Sequence, residues 1–156
     1  MTGRTVAVAG TFGPLHDGHR NLLRTALKYA DGGLVVGVTS DEFARSSRTR
    51  AVPPFTDRRD GVEAALRDLD EWGRDWELRE LDHEHGIVRD DPAVDALVVS
   101  PETAPELAAV NDLRRERGLD PLEGIVAPYV LAADGERISS TRIVRGEIDE
   151  HGNPVR

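Results

Sequence analysis

Cysteine is absent from the 156-residue sequence, so neither a disulfide nor a thiolate metal site is available to it. Lysine is almost absent: Lys28 stands alone, and arginine carries every other fixed cationic side chain. No apolar run approaches the ~20 residues needed to cross a bilayer, and the start shows no basic-then-apolar leader. A soluble, cytoplasmic protein with no membrane partner is the expectation. Two familiar phosphate-binding signatures are also missing. The glycines match neither Gly-x-Gly-x-x-Gly nor a Walker loop ending in Lys-Ser/Thr, which disfavours a dinucleotide-dependent dehydrogenase and a P-loop NTPase. Cationic excess is lacking too. The net charge is −9, which argues against nucleic acid as the main partner. Acid excess with one lysine suits a halophilic, high-salt interior, where salt screens carboxylate repulsion; a GC-rich genome favouring arginine codons is the competing explanation. Full folding without KCl would remove the halophilic reading.

What is present centres on Gly10-Thr11-Phe12-Gly13-Pro14-Leu15-His16-Asp17-Gly18-His19, directly after the apolar run Val6-Ala7-Val8-Ala9. A buried strand runs into a Gly/Pro turn, and a helix begins near Gly18 with Leu22, Leu23, Ala26 and Leu27 on one face. Free N–H groups and the positive end of the helix dipole then lie beside His16 and His19. Such a place attracts phosphate. Gly18 lets a ligand approach the backbone closely. The two imidazoles, three positions apart, lean to one side and can donate to phosphate oxygens. The plainer alternative has one histidine capping the helix and the other solvated.

The 156 residues fit one domain with one core. Residues 5–9 and 34–39 read as buried strands, and Ser40 or Asp41 caps a short helix through Glu42 and Phe43. Residues 45–54 read as a mobile loop carrying Arg45, Arg48 and Arg50. Thr56 or Asp57 caps a helix with Val62, Ala65, Leu66 and Leu69 inward, and residues 76–81 alternate as a less buried strand. His83 and His85 lie in an acidic stretch and are too few for a metal site. A strand over 93–100, a helix over 103–117 capped at Gly118, a strand over 122–131 and a short helix from Ser139 to Arg145 follow, and the tail from His151 frays. Strands alternating with helices predict an α/β single-domain Rossmann-like parallel sheet with helices on both faces. Ligands of such sheets bind beyond the carboxyl ends of the strands, where the first turn, the Ser100-Pro101-Glu102 turn and the 138–142 turn meet. There, the hydroxyls and N–H groups of Ser139-Ser140-Thr141-Arg142 can receive phosphates while Arg142 adds a fixed charge. A plain N-cap is the alternative.

Gly10-Thr11-Phe12 with His16-x-Gly18-His19, and Ile138-Ser139-Ser140-Thr141-Arg142 near the end, resemble the HxGH nucleotidyltransferase superfamily. Residues 38–42, 99–103 and 146–149 make the chain similar to the archaeal-type phosphopantetheine adenylyltransferases, the likeness running from about Val6 to Asp149. The resemblance implies transfer of AMP from ATP to 4′-phosphopantetheine, giving dephospho-coenzyme A and pyrophosphate in coenzyme A biosynthesis. It implies catalytic roles for His16 and His19, with His16 on the α- or β-phosphate and His19 stabilising the transition state. It places the nucleotide against Gly10, Thr11, Phe12, Gly18, His19, Glu102, Asn111, Ile138, Ser139, Ser140, Thr141 and Arg142. The acceptor phosphate falls to Thr11, Arg48 and Arg50, with Arg58 and Arg59 as weaker candidates that surface exposure explains equally. Mg²⁺ arrives on ATP, without a protein cage. The chain departs from the family at Gly13, where an aspartate is usual, and in lacking a lysine after the second strand; arginine is not an equivalent replacement. The shared motifs read the nucleotide, so FMN, NMN or glycerol 3-phosphate as acceptor, and a non-catalytic nucleotide-sensing module, stay open. The oligomeric state is not legible.

Overall fold

A computed structural model describes residues 3–47, 50–82, 88 and 91–155. Its elements run β1 (Thr5–Gly10), α1 (Asp17–Tyr29), β2 (Gly33–Thr39), α2 (Asp41–Ser47), α3 (Phe55–Leu69), β3 (Trp76–Leu81), β4 (Ala96–Val99), α4 (Glu106–Glu116), β5 (Glu123–Val126) and α5 (Ser140–Val144). The strands form one parallel sheet in the order β3-β2-β1-β4-β5. No helix among the described residues is long and apolar enough to cross a membrane.

The unbroken apolar strands are explained by two buried faces. Val6, Val8, Leu34, Val36, Val38 and Val98 pack on Leu23, Ala26 and Leu27 of α1 and on Val62 and Leu66 of α3. Ala7, Leu97 and Val99 point the other way, to Val110 of α4. Right-handed crossovers require this division. The chain moves outward from β1 to β3 through α1 and α3, then returns past β1 to add β4 and β5 through α4, on the opposite face. The carboxyl ends of β1 and β4 therefore part company, which opens a crevice at the switch point of the sheet. A smaller cluster of Ala132, Ile138 and Ile148 seats α5 over that end.

Three expected boundaries move, each for a local reason. The fifth strand stops at Val126 rather than continuing to 131: Ala127 N–H donates the last ladder bond to the Val99 carbonyl, and Pro128 has no hydrogen to continue it. The expected loop over 45–54 begins as helix, since α2 runs on to Ser47. The N-cap of α3 is neither Thr56 nor Asp57 but Pro54, which has no capping side chain, and the Asp41 carboxylate takes over by accepting from Phe55 N–H at 2.8 Å across 14 residues of chain. Ser40 Oγ does cap α2, accepting from Phe43 N–H.

The expected fraying from His151 is not what the described residues show. Asp17 N–H donates to the Glu150 carbonyl, Ala133 N–H to the Gly152 carbonyl, and His151 Nδ1 lies 3.0 Å from Asp17. Gly152 sits at φ +81°, with no room for a side chain beside Ala132. His83 and His85 lie outside the described residues.

Candidate active site

The turn after β1 is set by short-range interactions of its own residues. His16 is the N-cap of α1, and its Nδ1 accepts from Gly18 N–H at 3.0 Å and His19 N–H at 3.4 Å. His19 Nδ1 accepts in return from His16 N–H at 3.3 Å. This is a capping box built from two imidazoles, whose rings stack at 3.8 Å. Both histidines cap the helix, rather than one capping and the other being solvated, and capping uses Nδ1 only. An accepting Nδ1 fixes the neutral tautomer, so each ring carries its hydrogen on Nε2 as a donor. Gly18 has a more local reason than ligand approach: a Cβ there would lie 2.8 Å from the His16 ring.

Phe12, before the helix, sits at φ +54°, a left-handed conformation that costs a non-glycine residue about 1–2 kcal/mol. Its ring is buried and lies 5.2 Å from that of His19. Beneath it runs a directional chain of hydrogen bonds. The Arg58 guanidinium donates to Thr39 Oγ1 at 3.2 Å, and Thr39 Oγ1 donates to Thr11 Oγ1 at 3.1 Å, which turns the Thr11 hydroxyl hydrogen away from Thr39.

The crevice between β1 and β4 is a cleft of about 250 Å³. Gly10, Thr11, Phe12, His16, Gly18 and His19 form one wall. Ser100 and Glu102 follow β4, residues 127–130 follow β5, and Arg137 with residues 138–141 closes the far side. The two phosphate features are joined directly, since Ser140 Oγ donates to the Pro14 carbonyl at 2.7 Å across 126 residues of chain. Ser139 Oγ caps α5 by accepting from Arg142 N–H.

Not every expected residue arrives there. The Arg142 guanidinium points to Asp134, Glu147 and the Arg137 carbonyl and does not line the cleft. Asn111 is held at the opposite, amino-terminal end of the sheet, where its side chain exchanges bonds of 2.7 and 3.2 Å with the backbone of Leu122, just before β5. Arg58 is not a surface residue: it is 2% exposed beneath the turn. Arg59 does face solvent, beside Asp60. Arg50 lines the cleft and donates to the Gly13 carbonyl at 2.9 Å. Arg48 lies outside the described residues. Sequence reasoning missed Arg137, which faces the cleft, pairs with Glu102 and stacks 5.3 Å over Tyr129. Its one signal was adjacency to Ile138. No group of three or more His, Cys, Asp or Glu side chains able to hold a metal ion occurs among the described residues.

Burial of the His16 ring, aided by the positive charges of Arg20, Arg137 and Arg50, lowers its pKa from 6.5 to about 4 despite the opposing charge of Asp17. The imidazole is therefore neutral at pH 7, as its cap requires. The unfolded chain takes up this proton below pH 6.5 and the folded one only near 4. His16 thus contributes its full stability above 6.5 and loses it progressively as the pH falls to 4, by roughly 3 kcal/mol at most. Urea unfolding at pH 7.5 and 4.5 is expected to show this loss in the parent. His16→Asn, which keeps a capping acceptor but no titration, is expected to lose correspondingly less.

Comparison with known proteins agrees with this fold. Residues 7–146 match the cytidylyltransferase-like family. A phosphopantetheine adenylyltransferase of Methanopyrus kandleri is 45% identical over 94% of this chain and 92% of its own. That of Methanothermobacter thermautotrophicus is 42% identical over 97% and 89%. Among solved structures, a protein of unknown function from Archaeoglobus fulgidus superposes with a TM-score of 0.68 at 33% identity, covering 78% of this chain and 87% of that one. The chain belongs to the cytidylyltransferase-like family, in its branch of archaeal phosphopantetheine adenylyltransferases.

Proposed function

We propose that this protein transfers AMP from ATP to 4′-phosphopantetheine, forming dephospho-coenzyme A and pyrophosphate in coenzyme A biosynthesis. The observation that carries the reading is the junction of the imidazole turn and the 138–141 turn in one cleft through Ser140 and Pro14. Its chemistry suits in-line displacement. An oxygen of the acceptor phosphate, already anionic at pH 7, attacks the α-phosphorus, and the α–β bridging oxygen leaves with its electron pair in pyrophosphate. No proton is removed, so the site has to align two anions and stabilise the charge between them. The Nε2–H groups of His16 and His19 supply donors without forming a covalent bond. Arg50, against the turn, offers its charge to the acceptor phosphate, and Thr11 its hydroxyl. Arg137, which lines the same cleft as Thr141, offers charge to the leaving phosphates. Magnesium enters as part of the nucleotide, neutralising triphosphate charge.

Incubation with MgATP and each of 4′-phosphopantetheine, FMN, NMN and glycerol 3-phosphate, following pyrophosphate, tests the assignment. Release is expected with 4′-phosphopantetheine, accompanied by dephospho-coenzyme A. Faster release with another acceptor would reassign the substrate. ATP binding with no release from any acceptor would make the protein a nucleotide-binding module.

A further inference from the structure

Arg58 has no phosphate to bind, because its guanidinium is buried under the turn and all three of its nitrogens are engaged. Nε donates to the Pro53 carbonyl at 2.7 Å, and one terminal nitrogen donates to Asp41 at 3.1 Å. The other reaches the carbonyls of Thr11 at 2.9 Å and Thr39 at 2.8 Å. A single side chain of α3 thereby ties together the ends of β1 and β2. The Thr11 carbonyl matters most. In a trans peptide the C=O and N–H point opposite ways, so pinning that carbonyl downward turns the Phe12 N–H away from the guanidinium. It also helps hold Phe12 at φ +54°, which only surrounding contacts sustain. The Arg58 stem reaches this place over Gly13, where a Cβ would lie 2.6 Å from Cδ and 2.8 Å from Cγ. Those carbons cannot step aside while their guanidinium is fixed at five acceptor atoms.

We propose that Arg58 is a positioning residue for adenylyl transfer, setting the Thr11–Phe12 peptide from below, and that residue 13 is glycine because the Arg58 stem occupies the space of a side chain. The proposal rests on the adenylyl-transfer reading for its kinetic consequence, and on geometry alone for the coupling of residues 13 and 58. The carboxylate that pairs with Arg58 is then Asp41, which also caps α3.

The test compares Arg58→Lys, Gly13→Ala and the double variant with the parent by three readouts: turnover per folded molecule, KM for ATP, and the Phe12 amide resonance in ¹⁵N-labelled protein. Lysine keeps the charge but cannot span these acceptors. Turnover of Arg58→Lys is expected to fall about 10²-fold, as for a reacting group displaced by an ångström, with KM for ATP changing far less. The Phe12 amide is expected to move in both single variants, and the double variant to be less than additive, since both lesions break one contact. An unmoved Phe12 amide, or a moved one with parental turnover, overturns the proposal. A purely structural arginine would lower the melting temperature and leave turnover per folded molecule unchanged. If Arg58→Lys does not fold, Gly13→Ala carries the test, because it retains the guanidinium and perturbs only its path. If the parent makes no dephospho-coenzyme A, the assignment of the reaction fails by itself, and amide displacement with ATP affinity still decides whether Arg58 sets the turn.

Discussion

His19→Ala is expected to lower turnover by ~10²–10³, the loss typical of removing one preorganised donor from developing charge. The structure says why the loss falls on chemistry more than on folding. His19 is half-buried, and the backbone bond that its ring accepts from His16 N–H is a long one, 3.3 Å to Nδ1. Losing that half of the capping box costs about 0.5–1 kcal/mol, or a few degrees of melting temperature in a chain of this length. In the proposed mechanism Nε2–H is the half of the ring that meets the developing charge. Steady-state kinetics beside a thermal melt separate the two effects. Near-parental turnover would remove His19 from the mechanism, and a collapsed melt would show that its capping role dominates.

The largest effect on stability is expected far from the cleft. Arg114 of α4 is 1% exposed, and its guanidinium satisfies four main-chain carbonyls: Asp120 at 2.7 Å, Val88 at 2.7 Å, Asp91 at 2.9 Å and Val94 at 3.4 Å. It thereby fastens the backbone leading into β4 and into β5 on the face that α4 covers. Arg114→Leu fills part of the volume but leaves buried acceptors unmet. A loss of about 3 kcal/mol or more is expected, equivalent to roughly 6–12 °C for a protein of this size. Because Arg114 does not touch the cleft, turnover per folded molecule is expected to stay near the parental value. A melt within a degree or two of the parent would mean that water replaces the guanidinium.

The sequence was most legible where one physical cause dominates. Buried parallel strands need apolar residues on both faces, so β1, β2 and β4 stood out, and 3.6-residue periodicity exposed α1 and α3. The imidazole turn was legible because its determinants are adjacent: His16, Gly18 and His19 bond and pack among themselves. What failed was long-range. Asp41 capping Phe55, Arg58 beneath Thr11 and Asn111 at Leu122 are partnerships across 11 to 47 residues, for which composition and period carry no signal. Arginine caused most of the errors. Nearly every cation in this chain is the same residue, so Arg58 inside, Arg137 at the cleft and Arg142 beside Asp134 and Glu147 look alike until folded.

The first turn of α1 is finished by residues that follow it by well over a hundred positions: Ser140 on Pro14, and Glu150 and His151 on Arg20 and Asp17. During synthesis, a nascent chain that has emerged through β3 holds both histidines but neither the far wall of their cleft nor the braces of their helix. Nucleotide capture therefore waits until residues 137–151 have been made, and removing the seven residues 150–156 would take the Glu150 and His151 braces from α1 while sparing the sheet.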